Sequence, residues 1–340
     1  CDLRLYLKDR LLSLHGLACD LSDALAGFAA AHPKALWPGY THLRRAMPSS
    51  AALWAGALAE GIADTAEALP ALWAQVDRSP LGSAAGYGVP LPLDRQATAD
   101  ALGFGGLDRN VATVQNGRGK LEAAVLFWCV QLGHDLSRYA TDVILLTGEE
   151  FGFLTLPAEL ATGSSIMPHK RNPDLFELPR ARVAALEGDL AATLALRGKL
   201  TSGYHRDFQL LKEPLFRGLD RTHEMLGMMA TTPLRLEVRQ DRMREALKGD
   251  ALATDEVMRR VEAGEPFRAA YRDVAAELKA GKAFPAPTER ELVARRRSTG
   301  GVGDLGLGEL RRRLRTTRAW AARERTRFDR ALTRRAGKGR

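Results

Sequence analysis

The sequence predicts an all-α protein, a bundle of long helices with a smaller helical C-terminal domain. Three observations predict it. Apolar residues recur at three- and four-residue intervals over long stretches; no run of alternating β-branched residues is bounded by hairpin turns; and 45% hydrophobic with 27% charged residues in 340 is a globular composition, enough for one or two cores. A first helix is expected over 2–31, where charges alternate with leucines from Asp2 to Arg10. The second covers 49–77. A third, over 110–147, contains Gly117 and Gly119, each costing about 1 kcal/mol against alanine, so close packing or a substrate-facing break is expected there. Asn172-Pro173 opens a fourth over 173–197, Pro taking the first helical position and Asp174 and Glu177 the first turns. A fifth covers 208–230, and several shorter ones follow residue 238. Helices this long exceed the usual globular length and suit a bundle whose protomers share one core. Thr231-Thr232-Pro233 marks the boundary between a domain over 1–232 and another over 233–340, which glycines at 281, 300, 301, 303, 306 and 308 cut into short helices and loops.

The net charge of +9 is concentrated at the C-terminus. Residues 295–340 hold 15 Arg and one Lys against four acids, a net of +12, which leaves the remaining chain at about −3. Leu307, Leu310, Leu314, Ala321, Phe328 and Leu332 fall at helical spacing within that tail, which predicts a surface helix with a solvated basic face. Arginine runs also make patches for RNA or an acidic partner, but the solvated face is the expected reading here and nucleic acid is not an expected partner. No segment is long and apolar enough to span a bilayer, and Cys1–Arg10 is unlike a secretory leader. Cys1, Cys19 and Cys129 are too few and too scattered for a disulfide framework or a zinc site, and are expected as reduced thiols in the cytoplasm.

Chemistry is concentrated in Thr162-Gly163-Ser164-Ser165-Ile166-Met167-Pro168-His169-Lys170-Arg171-Asn172-Pro173-Asp174. Gly163 permits backbone angles closed to other residues, and Ser164 and Ser165 supply hydroxyls and amides. The helix that follows points its amide dipoles back at the loop, and Lys170 adds a full positive charge. Together they lower the cost of a serine oxyanion or a dianionic intermediate. A lone Gly-Ser-Ser would read as a capped turn; Met, Pro, Lys, Asn and Pro at fixed offsets make the whole far rarer by chance.

The loop resembles the signature loop of the fumarase/aspartase superfamily. Gly39-Tyr40-Thr41-His42-Leu43-Arg44-Arg45-Ala46-Met47-Pro48 resembles the threonine-histidine motif of argininosuccinate lyases, and Ser79–Gly86 with Pro92–Arg95 resembles their next segment. Tyr204-His205-Arg206-Asp207-Phe208-Gln209 and Lys212-Glu213-Pro214-Leu215-Phe216 match a fourth. The likeness runs from Asp2 to about Phe267 and leaves the basic tail unexplained. It implies a homotetramer with a central helical bundle, no metal or organic cofactor, and cleavage of argininosuccinate to arginine and fumarate in arginine biosynthesis. Ser164 would be the base; Lys170, Asn172 and the loop amides, with Ser165, would hold the dianion; Thr41 would bind a succinyl carboxylate. His42, reached through a turn that precedes a helical stretch and oriented by Glu177 of another subunit, would manage the proton on the leaving nitrogen. Tyr204, Gln209 and Lys212 would grip the arginine end, and Arg118 aligns less cleanly with a family arginine. His15, His32, His134 and His223 read instead as packed or surface residues.

There are departures. His169 and Arg171 flank Lys170 where Gln-Lys is usual, giving the loop some likeness to adenylosuccinate and carboxymuconate lyases. Arg44 and Met47 replace glutamines beside His42, and Leu210-Leu211 stands where the family is acidic. The family's Ser-Arg-Asn-Asp motif, carried on an N-terminal domain, does not occur in these 340 residues. The alternatives to argininosuccinate cleavage are another fumarate-releasing lyase, such as an adenylosuccinate lyase-like enzyme, and an inactive structural homologue.

Overall fold

The first helix, α1 (Asp2–Ala31), buries Leu7, Leu11, Leu14, Ala18, Leu21, Leu25 and Phe28, each at most 2% exposed. That alternating four-three spacing keeps one stripe facing the same neighbours along the whole helix. The computed structural model describes residues 1–285 and 287–336. Helix α2 (Ala51–Glu67) lies against α1, capped by Ser50, whose hydroxyl accepts the Leu53 N–H at 3.0 Å. Its buried face is mostly alanine (Ala52, Ala55, Ala59, Ala63 and Ala66), which lets the two backbones approach closely. The expected single helix over 49–77 is two: α3 (Leu69–Val76) restarts with Pro70 in its first turn, because proline has no N–H to continue the preceding ladder.

Helices α4 (Arg95–Ala101) and α5 (Val111–Asn116) are short and capped by Asp94 and Asn110. The expected helix over 110–147 likewise divides. Helix α6 (Lys120–Thr147) begins after Gly119, whose φ of +78° a side chain would strain. Helices α7 (Asp174–Arg197) and α8 (Lys212–Met229) pack on α6. A Cβ built on Gly218 of α8 would lie 2.3 Å from Leu126 Cδ2, so that crossing admits no larger residue without movement. Tyr139 is wholly buried among these helices, its hydroxyl 2.8 Å from Thr232 Oγ1. Short helices follow: α9 (Gln240–Ala246), α10 (Ala253–Glu262), α11 (Phe267–Lys279) and α12 (Glu289–Ala294). They carry two small apolar clusters of their own, one around Leu247, Leu252 and Leu292, the other around Val257, Val274 and Phe284.

Two departures from expectation bear on the site. The stretch around His42, expected as a turn before a helix, is an antiparallel hairpin of β1 (Leu36–Thr41) and β2 (Arg44–Ser50). It lacks the alternating pattern of a strand pair and sets Pro38 opposite Pro48, two residues that local propensity disfavours in sheets. Tertiary packing holds it: Trp37 stacks on Phe153 at 5.6 Å, and Tyr40 meets Phe151 edge-on at 5.1 Å.

The second departure is the tail. Helix α13 (Leu307–Ala336) packs against α1 and α2, burying Leu310, Leu314 and Phe328. Its basic face is only partly solvated: Arg313 pairs with Asp64 and Glu67, Arg318 with Asp20 at 2.7 Å, Arg325 with Asp9 at 2.6 Å and Arg327 with Asp77. No described helix is long and apolar enough to cross a membrane.

Candidate active site

The residues expected from sequence to act on substrate fall into three groups, each positioned differently. In the first, Thr162-Gly163 pairs antiparallel with Arg171-Asn172, so the serine loop is closed at its base by a two-residue ladder. Asn172 Nδ2 donates to Gly163 O at 3.4 Å, and Thr162 Oγ1 donates to Asp174 Oδ2 at 2.5 Å, tying the ladder to the first turn of α7. Gly163 lies in this ladder, outside the left-handed region, so its φ does not demand glycine in this conformation. Ser164 Oγ accepts the N–H groups of Ile166 and Met167 at 3.3 and 3.1 Å. These amides also stabilise a serine oxygen that becomes negative. Ser165 and Lys170 are exposed, and Ile166 is 86% exposed, an apolar side chain left in water.

His42 and Leu43 form the two-residue turn of the hairpin, with φ of +52° and +56°. Turns of this kind favour Gly or Asn, and each non-glycine residue held there costs on the order of 1–3 kcal/mol. The turn places Thr41 and His42 at the exposed tip. Glu177 is exposed in the first turn of α7. Among the described residues no hydrogen bond or ion pair joins His42 to Glu177, or either of them to Ser164.

The third group is assembled within one chain. Lys212 Nζ donates to Gln209 Oε1 at 3.2 Å, and Gln209 Nε2 donates to the Tyr204 hydroxyl at 2.8 Å. Arg118 lies 5.6 Å from the Phe208 ring centroid and donates to Phe208 O at 3.4 Å, so the break between α5 and α6 comes up against the Tyr204–Lys212 segment. Arg118 and Lys212 line a common cavity of about 350 Å³ with Ser83 and Gln115. Ser83 is followed by Ala84 and Ala85, both at positive φ, a second strained stretch beside this cavity.

One residue of this group was missed from sequence. Glu122, 2% exposed, accepts Arg118 Nε at 3.0 Å and the Gly119 N–H at 2.7 Å, fixing the arginine and starting α6 with one carboxylate. Its signals were present as a glutamate three residues after a helix start and four after an arginine.

With that geometry in view, comparison with known proteins is decisive. A family model described as Lyase matches residues 1–186, over half the chain. The argininosuccinate lyase of Thermotoga neapolitana is 42% identical over 273 residues, which cover 80% of this chain and 69% of that protein. The chain belongs to the argininosuccinate lyase family. The argininosuccinate lyase of Parabacteroides distasonis is 41% identical over 284 residues, 84% of this chain, and the match spans 64% of that relative's length. Among solved structures, an EDDS lyase in complex with formate superimposes with a TM-score of 0.87 at 24% identity, covering 98% of this chain and 74% of that one. The helical fold expected from sequence is thus also the fold of this EDDS lyase.

Proposed function

We propose that this member of the argininosuccinate lyase family cleaves argininosuccinate to arginine and fumarate. The observation that carries the reading is that Arg118 and Lys212 line one cavity, with Gln209 and Tyr204 hydrogen-bonded in series behind Lys212: two cations, an amide and a phenol suit the zwitterionic head and carboxylate of an amino acid. Ser164, as the alkoxide, takes the proton from the carbon beside a succinyl carboxylate. The electron pair moves into that carboxylate as a dianionic aci form, held by Lys170, Asn172, Ser165 and the loop amides. Its collapse makes the carbon–carbon double bond and expels the guanidino nitrogen, which His42, oriented by Glu177 of a second subunit, protonates. Thr41 binds a carboxylate. Closure of the Ser164 loop completes the site, because serine is too weak an acid to serve as base in open water.

This division of roles needs a second copy, and self-association as a homotetramer is part of the proposal. The long helices expose Phe127 of α6 at 55% and Leu178 and Leu194 of α7 at 55% and 52%, apolar surface that a second copy would cover. Free thiols at Cys1, Cys19 and Cys129 suit the cytoplasm. The test is Ser164→Ala, read by ultraviolet detection of fumarate release from argininosuccinate with helix content and oligomer mass monitored in parallel. Loss of over a hundredfold in kcat is expected; retention of more than about a tenth sinks the assignment.

A further inference from the structure

A cavity lined by none of those three groups lies between the end of α4 and α13. It has a volume of about 1030 Å³ and is walled on one side by Asp100, Ala101, Gly103 and Phe104 at the end of α4, on the other by α13. From α13 it receives Arg323, Arg327 and Arg330 on successive turns of one face, with Thr326 among them. These three arginines span seven residues, about 10 Å of helix axis.

The arginines of this helix fall in different surroundings. Arg313, Arg318 and Arg325 reach carboxylates on α1 and α2 and so help dock the helix. Arg327 likewise reaches Asp77, just after α3, and also pairs with Glu324 at 2.6 Å. Among the described residues Arg323 and Arg330 have no ion-pair partner, and both are exposed. Docking of α13 therefore accounts for Arg327 and leaves two guanidinium groups beside a concave surface. The opposite wall is apolar at Ala101 and Phe104, with Ala322 and Ala331 on the helix side; Asp100, already accepting Gln96 Nε2 at 2.8 Å, offers a further acceptor at the rim.

We infer that this cavity is a binding site for a nucleoside polyphosphate: Arg323, Arg327 and Arg330 take the phosphate chain, the alanine and phenylalanine wall takes the base, and Asp100 accepts from a ribose hydroxyl. Guanidinium groups match phosphate oxygens in bidentate geometry, a chain of three phosphates is long enough to meet more than one of them, and the cavity volume matches a ligand of that size. Such a site gives the basic C-terminal helix a role that elimination does not.

Isothermal titration of the full chain with ATP, and separately with inorganic tripolyphosphate, tests it. ATP is expected to bind with a dissociation constant at least fivefold below that of tripolyphosphate, and both affinities to fall as salt is raised. Arg323→Gln with Arg330→Gln should weaken both by tenfold or more; since both side chains are exposed and the pairs of Arg327 are kept, the melting temperature should not move. Ala322→Glu, which puts a carboxylate into the cavity, should weaken ATP by a similar factor. Absence of binding by either probe, or affinity that neither variant changes, overturns the site. Equal affinity for the two probes overturns the assignment of the base to the apolar wall.

Discussion

At the scale of single residues, the head-group chain and a buried histidine make separable predictions. Gln209 holds both Tyr204 and Lys212, so Gln209→Ala unties two groups at once. We expect kcat/KM for argininosuccinate to fall tenfold or more, with KM carrying most of the change, since the contact is to a remote end of the substrate. Steady-state fumarate release decides it; cleavage of adenylosuccinate with Gln209→Ala neutral would favour the rival lyase. His15 is 1% exposed, 2.8 Å from Thr317 Oγ1, and burial lowers its pKa to about 4 from an ordinary 6.5. The unfolded chain therefore takes up a proton between pH 6.5 and about 4 that the folded chain refuses. Stability due to this group is intact above 6.5 and declines as pH falls through that window, by a total on the order of 3 kcal/mol. Denaturant unfolding from pH 7 to 4 should show a smaller decline in His15→Gln, which keeps a partner for Thr317 without titrating.

At the scale of elements, the crossing of α6 and α8 is set by Gly218. An alanine there puts its Cβ against Leu126 and 3.0 Å from Leu186 Cδ1, so both leucine ends must shift within a close-packed core. Gly218→Ala should cost about 1–3 kcal/mol despite the gain in helix propensity, measurable as a lowered denaturant midpoint at unchanged slope. The same scale explains why one break was expected and another was not. Gly117 and Gly119 marked theirs in advance, whereas Pro70 was visible but the apolar periodicity on either side continues across it and reads as one helix. The hairpin was hidden for the opposite reason. Its strands contain two prolines and no β-branched run, and what stabilises it is the contact of Trp37 and Tyr40 with Phe151 and Phe153, over a hundred residues away.

At the scale of the whole molecule, one buried cation joins the ends of the chain. Lys8 of α1 is fully buried, with Nζ 2.6 Å from both Asp77 Oδ1 and Gly103 O and about 5 Å from the rings of Trp73, Phe104 and Phe328. Asp77 in turn receives Arg327 of α13. Lys8→Met removes the charge that Asp77 and the Gly103 carbonyl were buried to meet, and should destabilise the fold by about 3–5 kcal/mol, the usual cost of breaking a buried pair from one side. If α13 docks through this network, the variant should also become more sensitive to limited proteolysis near α13, and a variant proteolysed like the parent protein would show that the apolar stripe of Leu310, Leu314 and Phe328 suffices.

The helical class, the positions of α1 and α7 and the residue types of the serine loop were determined by the sequence alone, because apolar period and motif spacing are local properties that survive without the fold. The association of Arg118 with Lys212 and Ser83, the role of Glu122, the strained turn under His42 and the partial neutralisation of the basic tail were decided only by the tertiary structure. Each depends on which distant segments meet: a carboxylate at position 64, 67 or 77 carries no sign in the sequence that an arginine of the last helix will lie beside it. The charge count made the tail look like a solvated strip, and it was the packing of α13 on α1 and α2 that brought Arg313, Arg318, Arg325 and Arg327 to carboxylates and set Arg323, Arg327 and Arg330 beside a cavity.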